Sequence, residues 1–223
     1  VDRYLNELYA LSVKSLPMKL ASHNGVSFID LQHTLLKEPT KLIKCISELS
    51  KGLLYNKVML LDARGFLFAG VFDETPIILA RKPGKLPGEE ITVEYVKEYG
   101  TDKLCIQTGL IQPGDHVLVV DDVIATGGTM HACSELISKC GGIVAGYVAP
   151  FIVTKNQEFL CDGPILRQSR WLCTSEDANY TLALAQIAKN TIKPRDNVIR
   201  IFGETLMYYE RTHVLIWDKF RRS

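Results

Sequence analysis

Residues 117–129 read VLVVDDVIATGGT, and several kinds of local chemistry follow one another within that stretch. Val117, Leu118, Val119 and Val120 form an apolar run without alternation. That pattern suits a strand covered on both faces, as in a parallel sheet between helical layers. Two carboxylates, Asp121 and Asp122, come next. The carboxyl ends of strands in a doubly wound sheet present ligand groups, and adjacent acids there suit either a pair of vicinal hydroxyls or a hydrated cation. In Thr126-Gly127-Gly128-Thr129 the glycines let the backbone curl until several amides point inward, and the threonines add hydroxyls. From Met130 the apolar spacing turns helical, through Cys133, Leu136, Ile137 and Cys140, which sets the positive end of a helix against that turn. Together these parts predict a site for a sugar phosphate, with its diol on the acids and its phosphate on the turn.

Two other phosphate-binding devices are excluded. Neither G-x-x-x-x-G-K-[ST] nor G-x-G-x-x-G occurs anywhere in the chain. The composition is that of an ordinary globular protein: 223 residues, 47% hydrophobic and 23% charged. With 26 basic and 25 acidic residues the formal charge is only +1, which argues against a protein that coats nucleic acid. No apolar run approaches the roughly 20 residues that cross a bilayer, so no membrane partner is expected. None of the six cysteines stands in a C-x-x-C pair, and Cys45, Cys133 and Cys140 fall on apolar helix faces. They read as reduced core residues of a cytoplasmic protein. The five histidines have no metal-like spacing.

Outward from the central stretch, strands and helices alternate. Tyr4, Leu5, Leu8 and Leu11 are spaced as in a short amphipathic helix, and an Asn-Gly turn precedes alternation through Val26, Phe28 and Asp30. Pro39 opens a helix whose apolar stripe is Leu42, Ile43, Ile46, Leu49 and Leu53. A buried strand at 58–61 ends in Asp62-Ala63-Arg64-Gly65, where an arginine at a strand's carboxyl end can be aimed into the same crevice as the acids and bind a diphosphate by paired hydrogen bonds. After a strand at 76–80, Arg81, Lys82 and Lys85 are interrupted by Pro83 and Gly84, as either a solvated basic loop or an anion clamp. The excursion over 82–102 is long for a passive connection and turns ribbon-like at 92–99, so it reads as a mobile lid. Residues 143–152 form a further strand, and 181–189 are helical in composition.

Four stretches carry a resemblance: VVDDVIATGGT at 119–129, LDARGFLFAG at 61–70, RKPGKLPGE at 81–89 and EYGTDKL at 98–104. The first resembles the phosphoribosyl-diphosphate (PRPP) signature of type I phosphoribosyltransferases, and all four, in this order, resemble the adenine phosphoribosyltransferase family. The resemblance runs from about residue 25 to about residue 155. It implies a doubly wound, mainly parallel α/β fold with an N-terminal hood, a mobile lid loop and a C-terminal extension. The whole chain is expected to form one domain, with the hood in 1–36, the core in 37–155 and the extension in 156–223. The implied reaction is purine salvage: adenine and PRPP give AMP and diphosphate, with Mg²⁺.

By the same resemblance Asp121, Asp122, Ala125, Thr126, Gly127, Gly128 and Thr129 hold the ribose and 5′-phosphate of PRPP. Arg64, Arg81, Lys82 and Lys85 meet the diphosphate. Glu98 is the proton-transferring acid, with Glu94 its competitor four residues earlier. Ser27, Phe28 and Ile29 line the base, although the family often has Arg where Ile29 stands. Mg²⁺ is held mainly by substrate oxygens, with Asp121 and Asp122 as its protein ligands. A non-proline cis bond is expected at Ala63–Arg64, and a homodimer in which lid residues approach the partner's site. The alternatives are a 6-oxopurine phosphoribosyltransferase, a PRPP-binding regulator and a catalytically weak partner subunit.

Overall fold

The computed structural model describes residues 20–23, 26–29, 31, 35–36, 39–97, 100–155, 158–171 and 173–174. All of them belong to the first of two compact units, Val1–Thr181. The helix expected in the first twenty residues and the elements expected from 181 onward lie outside the described residues. No helix among the described residues is long and apolar enough to cross a membrane.

The chain opens with an antiparallel pair, β1 (Leu20–His23) and β2 (Val26–Ile29). Helix α1 (Pro39–Ser50) follows and buries Leu42, Cys45, Ile46 and Leu49, while Ile43 of the expected stripe turns partly outward. Strand β3 (Lys57–Leu61) leads into a 3-10 helix (Arg64–Val71) and then β4 (Ile77–Ala80). Strands β5 (Glu90–Lys97) and β6 (Gly100–Gln107) form an antiparallel ribbon. The central run becomes β7 (His116–Val120), β8 (Val123–Ile124) and helix α2 (Gly128–Lys139). Strands β9 (Ile143–Val148), β10 (Phe151–Ile152), β11 (Thr154–Lys155) and β12 (Glu158–Phe159) come next. Helix α3 (Gly163–Gln168), β13 (Ser169–Arg170) and β14 (Cys173–Thr174) end the described chain.

The main sheet has the order β13-β9-β7-β3-β4, and every neighbouring pair in it is parallel. Alternation then divides the core in two. Val58, Leu60, Leu118 and Val120 face α1 and the 3-10 helix, packing with Ile46, Phe68 and Phe72. Met59, Leu61, Val117 and Val119 face α2, where Met130, Cys133, Leu136 and Ile137 meet them. Burial on both faces explains why the strands read as uninterrupted apolar runs.

The ribbon is more firmly seated than a free lid. Cross-strand partners share a face, and the face carrying Val93, Leu104 and Ile106 is buried in the same cluster as α2. Its base is tied to β4: the Arg81 amide donates to the Cys105 carbonyl at 2.9 Å, and the Cys105 amide donates back to Arg81 at 2.8 Å. The C-terminal part also contributes more than the sequence reading gave it. Residues 158–171, placed there at the start of the extension, supply α3 and the edge strand β13, which pairs with Tyr147 and Val148. Two residues of strand are too short for any periodic signal.

Candidate active site

Strand order places the site. From β3 the chain moves to β4 on one side, and from β7 to β9 on the other, so the order reverses between β3 and β7. Ligand crevices of doubly wound sheets open at the carboxyl ends of strands at such a point. There the first residues past the two strands are Asp62 and Asp121. A cavity of about 290 Å³ opens between them, walled by both acids, Lys82, Tyr95, Lys103 and Thr129 among others. The acid Asp121 of the central motif and Thr129 in the first turn of α2 thus share one cavity.

The anion nest has a specific backbone. Gly127 is the N-cap of α2 at φ +87°, in the left-handed region that glycine enters without steric cost, and no side chain caps the helix there. The first amides of a helix have no acceptor within it, so they and the helix dipole are available to an anion. Ala125 and Thr126 are exposed, Gly127 is buried, and Gly128 and Thr129 are half-buried.

Charge at the strand end is tightly arranged. Asp122 is 5% exposed, and its Oδ2 accepts from Arg64 Nε at 2.9 Å. Asp121 Oδ1 accepts from the Asp122 amide at 2.8 Å. Burial raises the pKa of both acids; the Asp122 charge raises Asp121 further, whereas the Arg64 guanidinium pulls Asp122 back without reversing its shift. Arg64 comes close because residue 65 has no side chain: a Cβ on Gly65 would stand 2.8 Å from the Val120 carbonyl oxygen. A non-proline cis bond does occur in this turn, but at Asp62–Ala63 rather than the expected Ala63–Arg64. The Asp62 amide still donates to Ala80 at 3.0 Å. The parallel ladder therefore holds as far as that amide, and the turn begins at the very next peptide.

The four cations expected at the diphosphate have separate settings. Arg64 pairs with Asp122. Arg81 donates from Nε to Asp62 at 3.0 Å and from Nη1 to the Lys85 carbonyl at 3.0 Å, with its guanidinium over the Phe66 ring. Lys82 lines the cavity and pairs with Asp102 at 3.2 Å, and Lys85 is exposed on the loop. Glu90 braces that loop, its carboxylate accepting from the Gly84 and Leu86 amides at 3.3 Å. Ser27, Phe28 and Ile29 fall on β2. Glu98 lies outside the described residues, and its competitor Glu94 is exposed, 3.7 Å from Lys103.

Asp62 and Asp102, which hold Arg81 and Lys82, were not singled out by the sequence reading. Asp62 carries a usable signal, since it follows β3 just as Asp121 follows β7. Asp102 carries none until the ribbon's register is known.

Residues 80–158 match the family model described as the phosphoribosyl transferase domain. The adenine phosphoribosyltransferase of Kosmotoga olearia is 44% identical over 131 residues, spanning 56% of this chain and 76% of that protein. The adenine phosphoribosyltransferase of Mesoplasma florum is 37% identical over 170 residues, spanning 74% of this chain and 91% of its own length. The crystal structure of adenine phosphoribosyltransferase from Thermoanaerobacter pseudethanolicus superposes with a TM-score of 0.63 at 30% identity, covering 76% of this chain and 99% of that one. Sequence identity over three quarters and more of these relatives agrees with the crevice of acids and uncapped helix start, and the chain belongs to the adenine phosphoribosyltransferase family.

Proposed function

We propose that the protein transfers the 5-phosphoribosyl group of PRPP to adenine, giving AMP and diphosphate in purine salvage. The observation that carries this reading is the single cavity walled by Asp121 and by Thr129 of the α2 start, in a chain whose relatives are named for that activity. The 5′-phosphate sits on residues 125–129, and the ribose hydroxyls donate to Asp121 and Asp122. The bond from the anomeric carbon to the diphosphate oxygen breaks as adenine N9 bonds to that carbon. Negative charge then collects on the leaving diphosphate, where Arg64 and Lys82 stabilise it, with Arg81 and Lys85 shaping the loop beside them. Glu98 handles the proton on the base, an aid typically worth about 10²–10⁴ in rate. The base lies under the hood strand, against Ser27, Phe28 and Ile29.

Adjacent carboxylates beside substrate phosphates are a usual setting for Mg²⁺. With Asp122 engaged by Arg64, Asp121 is the better placed ligand. Bound there, the ion would neutralise diphosphate charge. A homodimer and a cytoplasmic location complete the proposal; the latter is supported by Cys45, Cys105, Cys133, Cys140 and Cys161 being free thiols.

The test is nucleotide formation by the purified chain with Mg²⁺ and PRPP, offered adenine, hypoxanthine, guanine and xanthine separately. AMP from adenine alone is expected. Product from a 6-oxopurine instead would overturn the base assignment, and no product from any base would overturn the reaction. Glu98→Gln is expected to leave PRPP binding intact and slow the chemical step; full turnover would pass the role to Glu94.

A further inference from the structure

We infer that Asp162 and His131 form a latch that holds the phosphate-binding turn in its anion-ready shape, so that Asp162 is a positioning residue for PRPP. This rests on the reading that the turn at 126–129 receives the 5′-phosphate.

The latch joins segments 31 residues apart. His131 lies in the first turn of α2, and its amide donates to the Gly127 carbonyl at 2.9 Å, closing that turn. Its side chain leaves the helix: Nε2 meets Asp162 Oδ2 at 2.7 Å. The other oxygen of Asp162 accepts from the Ile165 amide at 3.1 Å, capping α3. One carboxylate thus ties the start of α2 to the start of α3.

Packing shows why the tie bears on the turn. Cys161 and Ile165, on either side of that cap, are 6% and 2% exposed. They press on the turn where Gly127 has no side chain: a Cβ at 127 would stand 3.2 Å from Cys161 Cβ and 3.5 Å from Ile165 Cγ1. The segment 161–165 therefore forms the floor of the nest, and the His131–Asp162 hydrogen bond fixes the helix to that floor. Amides converge on a phosphate only while the first turn and the glycine before it keep their relative orientation. Holding them beforehand removes an ordering cost from binding.

Calorimetric binding of PRPP to the full chain tests the latch, with turnover measured in parallel. Asp162→Ser keeps a good helix cap but is too short to reach His131, and His131→Ala removes the other half. Each is expected to weaken PRPP binding about threefold to fivefold, within the range of one half-exposed side-chain hydrogen bond, with kcat and the KM for adenine unchanged. The double variant should be no weaker than either single one. Asp162→Asn keeps one acceptor oxygen for the Ile165 amide and turns an amide N–H towards His131 Nε2, which accepts it in the other tautomer, so it should stay within about twofold of the parent chain. Unchanged PRPP affinity in both single variants, or losses that add in the double, would overturn the latch while a parent chain that makes AMP keeps the reaction standing. Failure of the parent chain to bind PRPP would overturn both together.

Discussion

Arg64 with Asp122 and Lys82 with Asp102 are ion pairs of similar length, 2.9 and 3.2 Å, on two walls of the crevice. They differ in access to water. The Asp122 side chain is 7% exposed and Arg64 34%, whereas Lys82 is 66% exposed and Asp102 19%. At the strand end burial raises the pKa of both acids, and the attached guanidinium answers only part of that cost. On the ribbon, water screens the pair and little stability depends on it. The strand end is thus costly to keep charged and rigidly organised; the ribbon's charges can exchange a protein carboxylate for a substrate anion at small expense.

The largest expected effect breaks the buried wall. Arg64→Met should lower kcat/KM for PRPP by roughly 10²–10³ and also lower the melting temperature, because Asp122 loses its partner. If the rate falls no further than in Lys82→Met, the contrast between the walls fails. Gly65→Ala attacks the same wall through space alone. Its Cβ would meet the Val120 oxygen, a backbone atom, so a loss of about 1–3 kcal/mol is expected in denaturant unfolding.

Asp121→Asn sharpens the comparison by sign. An acid whose pKa is raised on folding contributes stability that is complete below the unfolded value and lost as pH rises through the folded one. Removing that acid should therefore raise the melting temperature at pH 8 by about 2–4 °C, with the gain fading towards acid, while PRPP binding weakens. Fluorimetric melts across pH check this, and a gain that grew towards acid would contradict the burial argument. Asp115 and Asp162 are shifted the other way, Asp115 chiefly by Lys57 and Asp162 chiefly by the Ile165 amide. Their contribution is present above the unfolded value and is lost as pH falls. The smallest effect belongs to the ribbon: Asp102→Asn should change stability by no more than about 0.5 kcal/mol, and a larger loss would mean that the pair is less screened than its exposure implies.

How much of the site was legible depended on distance along the chain. The strand, acid pair and glycine turn at 117–129 lie within thirteen residues, and their periodicity and turn chemistry identified them. The basic loop was legible as cations but not as a division of labour. Arg81 turns to Asp62, nineteen residues earlier, because the pairing of β3 with β4 sets the two strand ends side by side, and Lys82 turns to Asp102 because the bridge between Arg81 and Cys105 lays β6 alongside.

By itself the sequence determined the local pieces: which segments are buried strands, where an anion nest opens a helix, and which acids and cations stand at strand ends. Side-chain period, glycine freedom and strand-end position operate over a few residues, and a single stretch displays them. The tertiary structure alone decided which peptide of the turn is cis, that residues 158–171 complete the sheet and floor the nest, and that Arg64, Arg81 and Lys82 each face a particular carboxylate. Those outcomes come from packing between segments tens of residues apart, where shape and burial choose among partners that composition leaves equivalent.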